Sequence, residues 1–285
     1  MSSLKKEPLE LIHKPLITDA CNRLAIPLSE FNFSNLYLFR KTHAYSLLYL
    51  NTGMYALLGK SYKEQSFLMP LFLPVEWDKI VALAKEEKAQ YIYPIPESWV
   101  PSAEASGYTV SFHDEDSDYL YEVEKIATYR GRHLDGQRNA VRTLLTDHTV
   151  STLPLHECNQ EELIHIVHDW EREKSSEKSD EVACKEGIQL EAALGFEGLV
   201  FELGGKKAGF IIGEPLTPDT FLVHFAKTSH HVRGLYQYMY QELAKKLTSR
   251  FKWMNWEQDL GLETLRHAKL EYHPAALLQK GRLVP

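Results

Sequence analysis

The residue types best suited to acid–base and anion-binding work are concentrated near the end of the chain. They run Asn255-Trp256-Glu257-Gln258-Asp259-Leu260-Gly261, followed by Arg266, Lys269, Tyr272, His273 and Pro274. Asn255, Glu257 and Asp259 alternate, so on a strand and its exit they share one face. Arg266, Lys269 and His273 are three and four residues apart, so a helix would carry them in one stripe. A carboxylate can take the proton of an attacking amine or hydroxyl, and nearby cations can stabilise an oxygen that gains charge or hold a phosphate. In that chemistry Glu257 or Asp259 is the base and Lys269 and Arg266 are the cations, with His224, Lys227 and Tyr272 on the opposite wall. Asp259 could instead cap a helix, and the three cations could be a solvated helix face. Glu257 is harder to set aside. It lies opposite Trp256 in a strand expected to be largely buried, where an unpaired carboxylate is costly.

The elements that must position these groups can be read from hydrophobic periodicity. Runs rich in β-branched and aromatic residues mark strands at Tyr45 to Leu50, Met54 to Leu58, Ser66 to Phe72, Tyr91 to Ile95, Tyr108 to Phe112 and Tyr119 to Val123. Ile80, Val81 and Ala84 place a helix over Trp77 to Glu87. A basic helical stretch from Tyr129 to Thr146 carries Arg130, Arg132, Arg138 and Arg142 and is expected to bridge two halves. Helices follow near Asn159 to Lys174 and Glu181 to Leu194. A Gly204-Gly205 turn then joins strands Gly198 to Leu203 and Lys207 to Ile212. A strand at Thr220 to Ala226, a helix from Gly234 to about Ser249, a strand at Phe251 to Trp256, a helix from about Leu260 to Tyr272 and a strand near Leu277 complete the chain. The ααβββαβαβ order of the second half is that of an acetyltransferase-like (GNAT) domain, and the first half reads as a worn copy. The expectation is an α+β protein of two tandem GNAT-like domains, 1–128 and 151–285, joined by the basic helix at 129–150.

Composition narrows the function. The 285 residues carry 32 Lys and Arg against 39 Asp and Glu, a net charge of −7, which argues against coating nucleic acid over the whole surface. Residues 1–128 hold 12 basic and 17 acidic groups and residues 129–285 hold 20 and 22, so a polyanion would prefer the second half. Cys21, Cys158 and Cys184 are odd in number and widely spaced, and encode neither a disulfide framework nor a zinc knuckle. Met1 to Glu10 is not a secretory signal, and the apolar stretch Ala44 to Leu58 is interrupted by Asn51, Thr52 and Gly53. A cytoplasmic protein without a membrane span is expected.

Several motifs fail. Asp114, Asp116 and Asp118 have calcium-loop spacing, but Tyr119 stands at the glycine position and Lys125 at the twelfth, which leaves a solvated acidic loop. Gly131 to Gly136 lacks the Lys-Ser/Thr of a phosphate loop. His165 and His168 with Glu162 and Glu171 spread over too wide a helical arc to hold a metal, and no metal site is expected.

The C-terminal segment resembles the signature of bacterial proteins related to the phosphatidylglycerol lysyltransferase C-terminal domain, N-x-E-x-D-x-G-x-x-G-L-R-x-x-K-x-S-Y-x-P. Asn255, Glu257, Asp259, Gly261, Leu265, Arg266, Lys269, Tyr272 and Pro274 match. Weaker likeness extends over Phe31, Phe33, Asn35, Leu36, the run Asp118 to Tyr121, Gly131, Arg138, Asn139, Val223, His224 and Lys227. The resemblance implies a tandem GNAT-like fold and transfer of an acyl or aminoacyl group, in the lysyltransferases from aminoacyl-tRNA. No tightly bound cofactor is expected, since acyl-CoA or aminoacyl-tRNA would act as donor substrate. The acceptor, a small molecule, lipid or peptide amine or hydroxyl, is left open.

Arg130, Arg132, Arg138 and Arg142 would contact the tRNA. Asn255, Arg233, Gly234 and Tyr236 would join His224, Lys227 and Tyr272 in binding substrate. Thr264, Glu271 and Ala226 depart from the family's Gly, Ser and the carboxylate of a His-x-Glu-Lys pattern. The sequence His231-Val-Arg233-Gly234-Leu-Tyr236 departs from the R/Q-x-x-G-x-G/A phosphate loop at its bulky last residue. These departures keep a second reading alive, that of a catalytically silent GNAT-fold ligand-binding module.

Overall fold

The computed structural model describes residues 4–51, 53–74, 76–173 and 179–285. The chain forms two compact units. The first is Met1–Asp118 together with Gln258–Gly261 and Leu278–Pro285, and the second is Tyr119–Glu257 with Leu262–Leu277. A cut at residue 128 therefore does not describe the first unit, because its sheet takes in a strand from the end of the chain.

In the first unit β1 (Lys5–Pro8), β2 (Ser46–Asn51), β3 (Met54–Lys60), β4 (Ser66–Pro70), β5 (Tyr91–Pro96), β6 (Val110–Phe112) and the C-terminal β14 (Lys280–Leu283) form one sheet. Its order is β1-β2-β3-β4-β5-β14-β6. Only β4 and β5 pair in parallel; the other pairings are antiparallel. Helix α3 (Trp77–Glu86) buries Trp77, Ile80, Val81 and Ala84, the spacing of one helical face, and the short α4 (Val100–Ala105) buries Ala103. The strands read from sequence all form. Neither β1, whose Lys-Lys-Glu-Pro has no apolar alternation, nor helices α1 (Lys14–Leu24) and α2 (Phe33–Leu38) are among the elements expected from periodicity. The single strand expected near Leu277 is two strands, β13 (Ala276–Leu278) and β14.

The first unit is tied at its centre by Lys280, whose side chain is wholly buried. Its ammonium donates to Asp118 at 2.6 Å, Glu30 at 2.9 Å, Ser29 at 3.0 Å and Gln258 at 3.3 Å. Ser29 donates its main-chain N–H to the other Asp118 oxygen at 2.7 Å, and the Tyr93 hydroxyl donates to Glu30 at 3.0 Å. Burial pushes the Glu30 carboxyl up, against the pull of Lys280. Asp118 is thus no member of a solvated acidic loop, being fully buried against a cation supplied from 162 residues away. Asp116 likewise pairs with Arg282 at 2.5 Å.

The second unit holds β7 (Asp118–Glu122), β8 (Val150–Pro154), β9 (Glu197–Leu203), β10 (Lys206–Thr217), β11 (Thr220–Thr228), β12 (Trp253–Asn255) and β13, in the order β13-β7-β12-β11-β10-β9-β8. Helices α5 (Val123–Thr128), α6 (Asp135–Asp147) and α10 (Leu235–Leu247) enclose one core with Tyr121, Phe201, Ile211, Phe221, Val223, Met254 and Trp256. Helix α7 (Gln160–Glu173), with α8 (Glu181–Gln189) beside it and the single turn α9 (Glu191–Leu194) after that, packs on β10 and β11 through residues outside that cluster. The basic helix expected from Tyr129 begins only at Asp135.

A β-bulge sets which β11 side chains face which layer. Gly213 pairs with Val223 and Ile212 with Phe225, so His224 is the extra residue. An added Cβ at Gly213 would lie 2.1 Å from the Leu222 carbonyl oxygen, so only glycine allows this approach. Phe221 and Val223 face the α10 core. Strict alternation would put Lys227 there too, but the extra residue flips the sequel: Ala226 packs on the core and Lys227 lies over the Trp170 ring of α7.

Removing the cation of the buried cluster should be severe, because two acids would stay buried without it. Lys280→Met is expected to cost about 3–5 kcal/mol in urea unfolding. The deficit should shrink as the pH falls and Glu30, whose carboxyl burial pushes up, takes a proton, since a neutral acid no longer needs the ammonium.

Candidate functional site

The site lies in the second unit, where two parallel strands part. β11 and β12 pair from Thr220–Trp253 to Leu222–Asn255; β12 then ends while β11 continues to Thr228. β12 leaves the sheet through a turn that its own residues build. The buried Asn255 side-chain oxygen accepts the Glu257 N–H at 2.7 Å, and Glu257 takes a left-handed φ of 58°. Trp256 donates its N–H to the Tyr119 carbonyl at 3.0 Å, and Tyr119 returns its N–H to the Glu257 carbonyl at 3.2 Å. The Trp256 ring is gripped between Tyr121 at 3.9 Å and Tyr240 at 3.8 Å, with Tyr272 edge-on at 4.9 Å.

Lys269, from α11 (Glu263–Leu270), closes this turn. Its ammonium donates to the Trp256 carbonyl at 2.7 Å and the Glu257 carbonyl at 3.0 Å, and lies 5.3 Å from the Tyr119 ring centre. The Tyr121 hydroxyl donates to the Lys269 carbonyl at 2.7 Å, which anchors the helix from below. Expected as a cation facing substrate, Lys269 is nearly buried and holds main chain in place.

The Glu257 carboxylate emerges from the turn beside His224. His224 Nδ1 stands 3.0 Å from Glu257, and Nε2 stands 2.9 Å from Glu214 of β10. Its side chain is 1% exposed, against 20% for Glu257 and 13% for Glu214. An ionised carboxylate only accepts, so an imidazole bonded to one at each nitrogen must carry both protons. Burial opposes that charge, yet the two carboxylates outweigh it and hold the imidazole pKa up at about 9. The Phe196 ring, 5.2 Å away, covers one side. Glu214 escaped the sequence reading, which ended β10 at Ile212. A lone acid after Phe210-Ile211-Ile212-Gly213 is the available signal.

The remaining expected residues fall elsewhere. Asp259 belongs to the first unit, where it is buried and accepts the Gly261 N–H at 2.8 Å, shaping a turn. Arg266 is half-buried on α11, one turn before Lys269. The expected cationic stripe is cut short, since α11 ends at Leu270 and His273 is exposed with φ 52°. Tyr272, expected on a binding wall, packs in the core with Tyr240 and Tyr129. Lys227 is also removed from a ligand: its ammonium is held by both Asp180 oxygens at 2.9 and 2.7 Å and lies 3.4 Å from the Trp170 ring centre.

Arg233 is exposed before α10, and Tyr236 is half-buried in its first turn. Gly234 has φ 87°, and an added Cβ would stand 2.2 Å from the Ala140 carbonyl oxygen of α6. The glycine expected in a phosphate loop is therefore required by helix packing.

A separate hollow of about 470 Å³ is lined by Thr128, Arg130, Gly131, Arg132 and Arg138. Arg130 and Arg132 are exposed. Arg138 is tied to the carbonyls of Tyr129 and Gly131 and to Asp135, and the exposed Arg142 bonds Asn139 at 3.3 Å. Among the described residues no cluster of three or more His, Cys, Asp or Glu could hold a metal ion, and no helix is long and apolar enough to cross a membrane.

Two mixed sheets flanked by helices, one parting its parallel strands at a carboxylate, define a tandem GNAT-like protein. The sequence pattern of the family described as "Phosphatidylglycerol lysyltransferase, C-terminal" matches residues 22–280, and the chain belongs to that family. A conserved Bacteroides thetaiotaomicron protein of unknown function has a similar structure, with TM-score 0.86 at 21% identity over 100% of this chain and 99% of that one. The C-terminal domain of a protein assigned as a lysylphosphatidylglycerol synthetase in Agrobacterium fabrum gives 0.70 at 13% over 96% and 92%. FemX gives 0.61 at 10% over 98% and 96%. No curated protein matches the sequence.

Gly234→Ala should destabilise by about 2 kcal/mol or more, since it combines a left-handed backbone with a steric clash. Chemical denaturation checks this. A change within about 0.5 kcal/mol would mean that α6 and α10 do not approach as described.

Proposed function

We propose that the chain is a transferase that moves an aminoacyl group from aminoacyl-tRNA to an amine or hydroxyl acceptor, with Glu257 as general base. The observation that carries this reading is the Glu257 carboxylate, fixed by its turn and by His224 where β11 and β12 part. Glu257 takes the proton of the acceptor as the acceptor attacks the ester carbonyl carbon. The new amide or ester bond forms, the bond to the tRNA ribose oxygen breaks, and that oxygen leaves with the proton that Glu257 took, which restores the carboxylate. Asn255 and Lys269 act by holding the turn. Arg266 of α11 meets a phosphate or the oxyanion.

Membership of the lysyltransferase family supports the aminoacyl donor, and the family's description supports a lipid acceptor; the FemX-like fold is equally compatible with other acceptors. The poor phosphate loop, with Tyr236 at its last position, disfavours acyl-CoA. Arg130, Arg132, Arg138 and Arg142 would track the acceptor end of tRNA. The silent binding module has one specific observation in its favour, Ala226 where the family pattern carries a carboxylate.

Lysyl-tRNA, alanyl-tRNA and acetyl-CoA, each offered with phosphatidylglycerol vesicles or with free amines, discriminate these readings. Transfer from a charged tRNA is expected, and Glu257→Gln should lower it by about 10²–10⁴-fold. Undiminished transfer by this variant would refute the base. Tight binding of a charged tRNA without turnover would favour the silent module. The pair Arg130→Ala and Arg132→Ala should weaken tRNA binding and flatten its dependence on log salt by about two units of slope. An unchanged slope would move the tRNA path elsewhere.

A further inference from the structure

We propose that Glu214 and His224 are positioning residues for Glu257, forming a carboxylate–imidazolium–carboxylate chain that spans from β10 across β11 to the end of β12. The inference rests on the reading of Glu257 as base. Three features of the second unit carry it. The bulge at Gly213 makes His224 the unpaired residue of β11. Both ring nitrogens meet carboxylate oxygens, at 2.9 and 3.0 Å. The imidazole is buried, while both acids keep a solvent-exposed edge.

The chain has a defined effect on Glu257. A lone imidazolium would fix the carboxylate but would also make it a poor base, by stabilising its ionised form. Glu214 draws on the same positive charge from the other nitrogen, so Glu257 is oriented by a cation already half compensated. His224 itself cannot relay the proton that Glu257 gains, because both of its nitrogens are occupied and protonated. The titratable groups facing the ring are Glu214 from β10 and Glu257 from the turn after β12; Phe196 and Phe225 supply the apolar contacts. On α10, Tyr240 is pushed up by burial and by the charges of Tyr236 and Glu257, so its phenol stays neutral across the working range.

The first measurement is nitrogen NMR of the full chain labelled in histidine, assigned with His224→Gln. A doubly protonated His224 ring at pH 7.5 that loses its proton near pH 9 is expected, with a lower midpoint in Glu214→Gln. A singly protonated ring at pH 7.5 would overturn the proposal without reference to activity.

The second measurement is the pH profile of transfer from lysyl-tRNA to phosphatidylglycerol vesicles. Wild-type activity should fall as the pH rises through about 9. Glu214→Gln should lose about tenfold in kcat with KM within about twofold, and its alkaline limb should move to lower pH. A dead Glu257→Gln beside Glu214→Gln and His224→Gln of wild-type kcat would refute positioning while leaving the base intact. Full transfer by Glu257→Gln would refute the base assignment itself.

Discussion

The candidate site depends on one constraint, the left-handed turn at Glu257 that Lys269 holds shut. A non-glycine residue in that conformation costs about 1–2 kcal/mol. Hydrogen bonds from a charged donor contribute about 1.5–3 kcal/mol each, so the two from Lys269 to the carbonyls of Trp256 and Glu257 are enough to offset it. Without the turn, β12 would continue in register beside β11 and the two strands would not part. With it, Trp256 enters the aromatic core while the next side chain swings to His224. The order of side chains around the site thus follows from a backbone strain and a buried ammonium that relieves it.

Both units bury charge, and in each the partners come from distant parts of the sequence. Lys280 meets Glu30 and Asp118, Lys227 meets Asp180, and His224 meets Glu214 and Glu257. The buried Lys280 is satisfied by protein oxygens, and Lys227 is held between the Asp180 carboxylate and the Trp170 indole. In the third group the cation is a buried imidazole between two partly exposed acids. Exposure alone does not set it apart, since Asp180 is 28% exposed; its place where β11 and β12 part does. Lys227 and Lys269, attractive as cations in the sequence, are held by a carboxylate and by main-chain carbonyls, and are poor candidates for contact with a ligand.

Much of the architecture was legible beforehand. The alternation of β2 to β7, the 3.6-residue rhythm of α3 and α10 and the ααβββαβαβ order led to an α+β, tandem GNAT-like fold, because burial imposes those periods on any strand or amphipathic helix. β1 and β14 were not legible, being short and polar and held by pairing with distant strands. The Asn255-to-Pro274 segment could be recognised, yet its members do different jobs: Asn255 shapes a turn, Lys269 clamps it, Tyr272 packs, and Asp259 shapes a second turn in the first unit.

The sequence by itself determined the family and the fold class and singled out Glu257 as a candidate, because local pattern and a spaced set of polar residues survive in one dimension. Only the tertiary structure decided the company Glu257 keeps. Glu214 and His224 meet it from two other strands, beside a one-residue bulge that leaves no periodic trace while reversing every side chain beyond it. Likewise, Lys280 and Asp118 become partners only when residues far apart in the chain lie in one unit, since the energy of pairing buried charges depends on separation in space and not along the sequence.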